Sequence, residues 1–374
     1  MRSENNNPNP IGIVPDWPGA QDSDAWNETI GRLAAMDGEI DGSSEWSSSL
    51  WDVLVEGQAT RLAFPGDWGG IGDDRPETLR RYARLAEGSL TAAFILTQHD
   101  AAIRRLWAAR ERGRALEWLE KIRDGKAFGT VGISQLTTSR RHGPRALAAV
   151  EIGKDSYRLD GRMPWVTAAQ RADVIVTGAV LEDGRQLLIA LPSDRKGLKI
   201  LPALELAALQ ASCTTEVVCE AVEAFETDVL AGPDLDVMAT PGLTGTGGLE
   251  TSALALGQSR AALIALTKLA PGRDDLLEPI EALNDAWRSL ADDLLAAAIG
   301  KNDAPPPGKV RAQANAFVLR ATQGYLTARK GTGWLRSEPA QRWARQALFF
   351  LVWSCPAPVA QAALRDFAGL CDGQ

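Results

Sequence analysis

From Asp24 to Gly125 the apolar positions recur at helical spacing. Leu79, Tyr82, Ala83 and Ala86 fall at i, i+3, i+4 and i+7, which predicts a helix over about Pro76–Glu87. A second helix is expected over Leu90–Arg110, with Ile95, Ala102, Ile103 and Leu106 facing inward and Arg104, Arg105 and Arg110 facing water. A third covers Arg114–Arg123. The intervening Leu62–Asp74 (LAFPGDWGGIGDD) is dense in Gly and Pro and reads as a tight loop.

The pattern changes at Gly125. Phe128–Ser134 reads as a strand, and AVEIGKDSYRLDGRMPWVT holds two more, with turns at Gly153-Lys154-Asp155 and Asp160-Gly161. Val174–Leu181 and Gln186–Leu191 flank Glu182-Asp183-Gly184 as a hairpin. KGLKIL and TTEVVCEAVEAF add further strands, so a small antiparallel barrel or sandwich is expected. Helical spacing returns over Leu249–Leu269, which is apolar nearly all round and so buried on most sides. Leu276–Ile299, Lys309–Arg329, Glu338–Ser354 and Val359–Phe367 follow, with the Pro run at Ala304–Gly308 separating two of them. The expected division is a poorly ordered segment 1–22, an N-terminal helical domain 23–125, a central β domain 126–233 and a C-terminal helical domain 234–374. This is a multi-domain α+β chain.

Composition narrows the function. The 374 residues carry 40 basic and 48 acidic side chains, a net charge of −8, with no long basic run, which argues against nucleic-acid binding. Cys213, Cys219, Cys355 and Cys371 form no CxxC pair, and the histidines are His99 and His142, so neither a zinc site nor a disulfide scaffold is expected. No apolar run approaches the length of a membrane span, and the N-terminus has no signal-peptide core. A soluble, reduced, cytoplasmic protein is expected.

Candidate chemistry begins with discards. Gly245-Thr246-Gly247 lacks the GxGxxG spacing and a βαβ frame, so it reads as a helix-entry loop. Cys213 and Cys219 read as small core residues, and His99 as a core residue. His142 lies in the basic loop SRRHGPR, which is either solvated or meets a phosphate. In PWVT (Pro164–Thr167), strand alternation sets Trp165 and Thr167 on one face. An indole beside a hydroxyl suits a planar heteroaromatic ligand.

The helix–strand–helix order, with these motifs in sequence, resembles the acyl-CoA dehydrogenase superfamily of flavoproteins. Leu62–Gly72 is similar to its Trp-Gly-Gly-x-Gly loop, and Gly125–Gln135 to its first flavin strand. Tyr157–Val180 is the strongest match, with Leu159, Gly161, Trp165, Thr167, Ala172 and Asp173 in register. The resemblance spans roughly residues 50–355. It implies an FAD-dependent oxidoreductase of fatty acid metabolism that dehydrogenates an acyl-CoA thioester between Cα and Cβ, with hydride passing to flavin N5. It also implies an electron-transfer flavoprotein or another acceptor as partner, and a homodimer or homotetramer built through the C-terminal helices. The apolar Leu249–Leu269 is expected to support burial at such an interface.

Carried over by residue, the resemblance sets Trp165 against the isoalloxazine, Thr167 near N5 and the Ser134 hydroxyl on the flavin. Gly331 and Gly333, in KGTGW, match the glycines of a loop that meets a neighbouring subunit's FAD. The sequence departs from the family in three places. Ser134-Gln135-Leu136 replaces Thr-Glu-Pro, and Ser139-Arg140-Arg141 replaces the Gly-Ser-Asp turn, so Arg140 is expected at a phosphate of FAD or CoA. The Arg-x-x-Phe-Gly segment is missing, and Arg273 stands nearby without aligning to it. At the usual place of the catalytic Glu stands Ser354, which cannot serve unaided. A minority of the family carry the Glu six or seven residues before a helix glycine. Glu250, seven before Gly257, fits that position, where burial would raise its pKa and the helix N-terminus lower it. Two alternatives stay open: a flavin-dependent monooxygenase on the same fold, which needs no Glu base, and a non-catalytic acyl-CoA dehydrogenase-like paralogue.

Overall fold

The computed structural model describes residues 14–19, 22–136, 146–154, 156–239 and 248–370. Helices α1 (Asp24–Ile40), α2 (Ser48–Glu56), α3 (Arg75–Gly88), α4 (Leu90–Ala108) and α5 (Ala115–Arg123) come first. Their starts are written in the sequence. Ser23, Asp74 and Ser89 accept from backbone N–H groups in the first turns of α1, α3 and α4, and Pro76 occupies the first turn of α3.

Strands β1 (Gly129–Gly132), β2 (Leu147–Gly153), β3 (Ser156–Val166), β4 (Val174–Val180), β5 (Gln186–Pro192), β6 (Leu198–Ile200), β7 (Thr215–Phe225) and β8 (Val229–Asp234) follow. They form one sheet ordered β6-β7-β3-β2-β4-β5-β8, with β1 also on β4. The expected hairpin is the β4–β5 pair, in register from Val174↔Pro192 to Val180↔Gln186. The sheet is mixed rather than wholly antiparallel, because β1 and β2 both run parallel to β4. Turn signals mark where strands end but not which distant strand each one pairs with, and these pairings join strands far apart in sequence.

The C-terminal helices are α6 (Leu249–Thr267), α7 (Leu277–Ala298), α8 (Pro307–Arg329), α9 (Pro339–Ala347), α10 (Phe349–Val352) and α11 (Ala357–Phe367). The long helix expected over Glu338–Ser354 is thus broken at Leu348. Apolar α6 is buried inside the subunit, on α3, α7 and α8. Its hydrophobicity is therefore used within the chain rather than at a subunit interface. A β-carbon on Gly257 would lie 2.0 Å from the Ala83 carbonyl oxygen, so α3 and α6 cross in backbone contact there.

Residues 14–19, read from sequence as poorly ordered, are seated on this bundle. Trp17 packs edge-on against Trp287 with centroids 4.8 Å apart, and Arg260 donates to the Pro15 carbonyl while pairing with Asp16 and Glu87. A short Asn/Pro-rich stretch carries its anchor in one Trp, which composition alone does not reveal. Buried Arg342 and Asp37, 2.8 Å apart, tie α9 to α1. Among the described residues no helix is long and apolar enough to cross a membrane.

Candidate functional site

The α3–α6 crossing sets the site's geometry. Two turns before Gly257, in the first turn of α6, stands Glu250, and about two turns before Ala83, at the start of α3, stands Arg75. The two meet, with Arg75 Nη1 donating to Glu250 Oε1 at 2.9 Å and Arg104 Nη2 of α4 lying 3.4 Å from the same oxygen. Arg104 also donates to the Tyr82 hydroxyl at 3.1 Å, and Tyr82 donates to Asp100 Oδ2 at 2.5 Å. Burial pushes Asp100 up to about 7. Burial also works to raise Glu250, but Arg104 and Arg75 outweigh it and hold the carboxyl at about 2. Glu250 is therefore a firmly ionised, twice-paired carboxylate rather than the raised one a dry pocket alone would give.

Arg75, Arg104 and Glu250 line a cavity of about 500 Å³ walled by α3, α4, α6 and α10. Glu250, Ser354, Gly72 and Val131 all reach it. Hence the two positions at which the resemblance sets a catalytic base, and the loop Leu62–Gly72, converge on one space. Ser354 has φ +42° just beyond α10, a turn held by buried Arg311 of α8, which donates to the Trp353 carbonyl at 3.0 Å. Asn315 donates to the Phe350 carbonyl at 2.8 Å and fixes the same wall. Phe94, Phe349 and Trp353 supply an aromatic side, with Phe94–Trp353 centroids 4.7 Å apart.

Arg104 and Arg105 were expected in water, yet both line the cavity and Arg105 is 4% exposed. The signal for them was present. Phe94, Thr97, Gln98, Ala101, Arg104 and Arg105 fall on one helical stripe of α4, and the whole stripe lines the cavity. Charge was read as exposure, and the stripe was missed. Arg75 was missed as well, because its partner is 175 positions away.

The residues that the resemblance sets at a flavin form a second group on the sheet side. Ser134, just after β1, donates to the Pro164 carbonyl at 3.0 Å, and Thr130 of β1 donates to the Thr167 carbonyl at 2.8 Å. The segments bearing Ser134, Trp165 and Thr167 thus adjoin β1, whose Val131 reaches the cavity. Simple alternation does not relate Trp165 to Thr167. The β3–β7 register shifts between Met163 and Val166, and Trp165 has φ +61°. Trp165 is 46% exposed, whereas Thr167 is buried with its hydroxyl 3.1 Å from that of Thr214. The open indole face suits a flat heteroaromatic ring, while the Thr167 hydroxyl belongs to a buried chain continued by Ser212 at 2.9 Å from Thr214.

Gly331 and Gly333 lie together in the turn Lys330–Trp334, remote in sequence from both groups, and Trp334 there is 72% exposed. Arg273 is engaged by Asp275 at 2.7 and 2.8 Å and forms part of no cavity wall described above. Arg140, Arg141, His142, Cys371 and Gly245-Thr246-Gly247 lie outside the described residues. His99 is buried between Trp51 and Phe128, with Nδ1 2.9 Å from the Gly129 carbonyl oxygen, and burial lowers it to about 4. Cys213 and Cys219 are buried, and burial pushes Cys219 up to about 12. Among the described residues no cluster of His, Cys, Asp or Glu could hold a metal ion.

No family model matches the chain. The probable acyl-CoA dehydrogenase YngJ of Bacillus subtilis (strain 168) is 24% identical over 329 residues, 82% of this chain and 86% of its own length. Butyryl-CoA dehydrogenase from Megasphaera elsdenii superposes with a TM-score of 0.75 at 18% identity, over 94% of this chain and all (100%) of that one. A nitrososynthase from Micromonospora carbonacea var. africana gives 0.75 at 16% identity, over 95% of this chain and 99% of that one. The chain has the acyl-CoA dehydrogenase fold, and its similarity in sequence to YngJ agrees with the resemblance that its motifs carry.

Proposed function

We propose that the protein is an FAD-dependent oxidoreductase that removes hydrogen from Cα and Cβ of an acyl-CoA thioester, with Glu250 taking the α-proton. The observation that carries this reading is the shared cavity. Glu250 is the one carboxylate among its described lining residues, and Ser354 stands beside the same space. Bound FAD would supply the acceptor for the β-hydride. Trp165, Thr167 and Ser134 would hold its ring. Arg140 would meet a phosphate, and Gly331 and Gly333 would approach the FAD of a second subunit in a homodimer or homotetramer. Electrons would leave to an electron-transfer flavoprotein or a comparable acceptor.

The chain's own residues divide the remaining work. Arg75 and Arg104 fix the Glu250 carboxylate in place and keep it deprotonated at neutral pH. The same two arginines weaken Glu250 as a base, since proton abstraction works best with a pKa near the operating pH. That observation favours a second reading, a flavin-dependent monooxygenase, in which Glu250 serves as an anchor only. Fold cannot choose between them, since neighbours as different in name as a butyryl-CoA dehydrogenase and a nitrososynthase share it.

The test is flavin absorbance after reconstitution with FAD, then anaerobic bleaching by a panel of acyl-CoA thioesters. Bleaching is expected in the wild type and is expected to slow by about 10²–10⁴-fold in Glu250→Gln with flavin retained. Trp165→Ala is expected to loosen FAD by about 1–3 kcal/mol. Equal bleaching rates in wild type and Glu250→Gln would remove Glu250 as the base. Bound flavin that only NADH or a reductase bleaches would establish the monooxygenase reading. Absence of flavin binding would leave the non-catalytic one.

A further inference from the structure

The cavity holds more positive charge than it neutralises. Arg75 and Arg104 share Glu250, and Arg104 reaches on through Tyr82 toward Asp100. Arg105 is different. It is 4% exposed, its Nη1 donates to the Ala101 carbonyl at 2.8 Å, its Nε is buried with no hydrogen-bond partner, and among the described residues no carboxylate pairs with it. The undescribed stretch 240–247, which leads directly to Gly248 on the cavity wall, contains no acidic residue, and neither does 137–145. Glu250, the carboxylate whose field reaches Arg105, is already held by Arg75 and Arg104, and five N–H donors in a fixed fork are poorly served by one carbonyl. Buried Arg311 of α8 also has a nitrogen without a partner, Nη1, but it donates to Asn315 and to the Trp353 carbonyl and does not itself line the cavity. Arg105 instead lines the cavity.

We propose that the cavity takes a substrate bearing a carboxylate at the end remote from its thioester, and that Arg105 binds that carboxylate. The planar fork matches a carboxylate's two oxygens, and a desolvated pair is worth far more than a surface one. Arg104 touches Glu250 and Arg105 is its neighbour on the same stripe of α4, so the anionic end lies close to the reacting carbons and the carbon chain between them is short. The inference rests on the acyl-thioester reading for the thioester end alone. The anion site stands on Arg105.

The probes are adipyl-CoA and hexanoyl-CoA, equal in chain length, and free adipate and hexanoate, with binding measured by calorimetry on FAD-reconstituted protein at low salt. Wild type is expected to bind adipyl-CoA about 10- to 100-fold more tightly than hexanoyl-CoA, the range of one or two charge-assisted hydrogen bonds. Arg105→Gln is expected to erase the preference, and Arg105→Lys to keep part of it, which separates loss of the anion site from loss of folding. Equal affinities in wild type, or a preference that survives Arg105→Gln, would overturn the inference. Because binding is read without turnover, a preference for adipyl-CoA with no bleaching supports the anion site while sinking the dehydrogenase reading. If neither thioester binds, Arg105-dependent binding of adipate over hexanoate supports the site, and its absence overturns it. Inorganic phosphate is the remaining probe. Displacement of adipate by millimolar phosphate as effective as that by adipate itself would refute a carboxylate site.

Discussion

Replacing Glu250 with Gln tests the ionic core of the site through stability, independently of any reaction. Glu250 accepts from Arg75 at 2.9 Å, lies 3.4 Å from Arg104 and is 19% exposed at its side chain. Its carboxyl is held at about 2, against 4.5 for an ordinary glutamate. At about 1.4 kcal/mol per pH unit of displacement, the ionised folded form gains about 3 kcal/mol over the unfolded chain at pH 7. The folded pKa is depressed, so this contribution is complete above pH 4.5 or so and is lost as pH falls through about 2. Midway, at pH 3, about half should remain. Gln keeps the shape and one acceptor but removes the charge, leaving Arg75, Arg104 and Arg105 facing one another across the cavity. Urea unfolding at pH 7 should therefore show Glu250→Gln less stable than wild type by about 3 kcal/mol, shrinking toward half that at pH 3. A loss of equal size at both pH values would mean that the side chain matters by packing and not by charge. No loss at pH 7 would refute the pairing altogether.

Two further predictions follow from the elements around it. Gly257→Ala places a methyl 2.0 Å from the Ala83 carbonyl oxygen, so it should destabilise by about 1–3 kcal/mol despite alanine's better helix propensity, seen as a lower urea midpoint; a stabilised variant would show that the α3–α6 crossing is looser than described. Asp100, raised by burial to about 7, binds a proton in the fold that it lacks when unfolded between about pH 4 and 7, so wild-type stability should fall across that window as pH rises; Asp100→Asn should flatten that slope in urea titrations, and an unchanged slope would exclude Asp100 as its source.

The legible part of this protein was the part written locally. Apolar spacing along α3 and α4, the β4–β5 turn and the all-round apolarity of α6 place those elements to within a residue or two. Glu250 and Ser354 were legible only because an ordered set of motifs aligned them. What stayed hidden depends on long-range geometry. The parallel pairing of β1 with β4 and the meeting of Arg75 with Glu250 have no local mark. The bulge at Trp165 breaks the alternation that a straight strand would obey. Arg104 and Arg105 show a different failure: the stripe they share with Phe94, Thr97, Gln98 and Ala101 was readable, but charged residues on a helix were taken for its wet face. Wherever charges fall in register with small and aromatic residues rather than opposite them, the stripe deserves reading as a cavity wall.

The two functions open to Glu250 place opposite demands on its neighbours, and Arg75 can separate them. As an anchor, Glu250 is best when tightly paired and weakly basic. As a base, it gains from any change that lets its pKa climb toward the working pH. Arg75 sits at the α3 start, 36% exposed and outside the sheet-side group, so removing its charge alters the carboxylate's surroundings without touching Trp165, Thr167 or Ser134. With one positive neighbour gone and burial still acting, the carboxyl must rise from about 2. Under the dehydrogenase reading, Arg75→Gln should shift the acid limb of the anaerobic bleaching rate upward, with the neutral-pH rate rising or holding, while stability at pH 7 falls. Under the anchor reading the same variant loses stability and leaves the pH dependence of flavin reduction where it was. A stopped-flow pH profile of wild type and Arg75→Gln, each with stoichiometric flavin, makes the comparison. An acid limb that does not move, alongside a measured loss of stability, would leave Glu250 holding the arginines in place and nothing more.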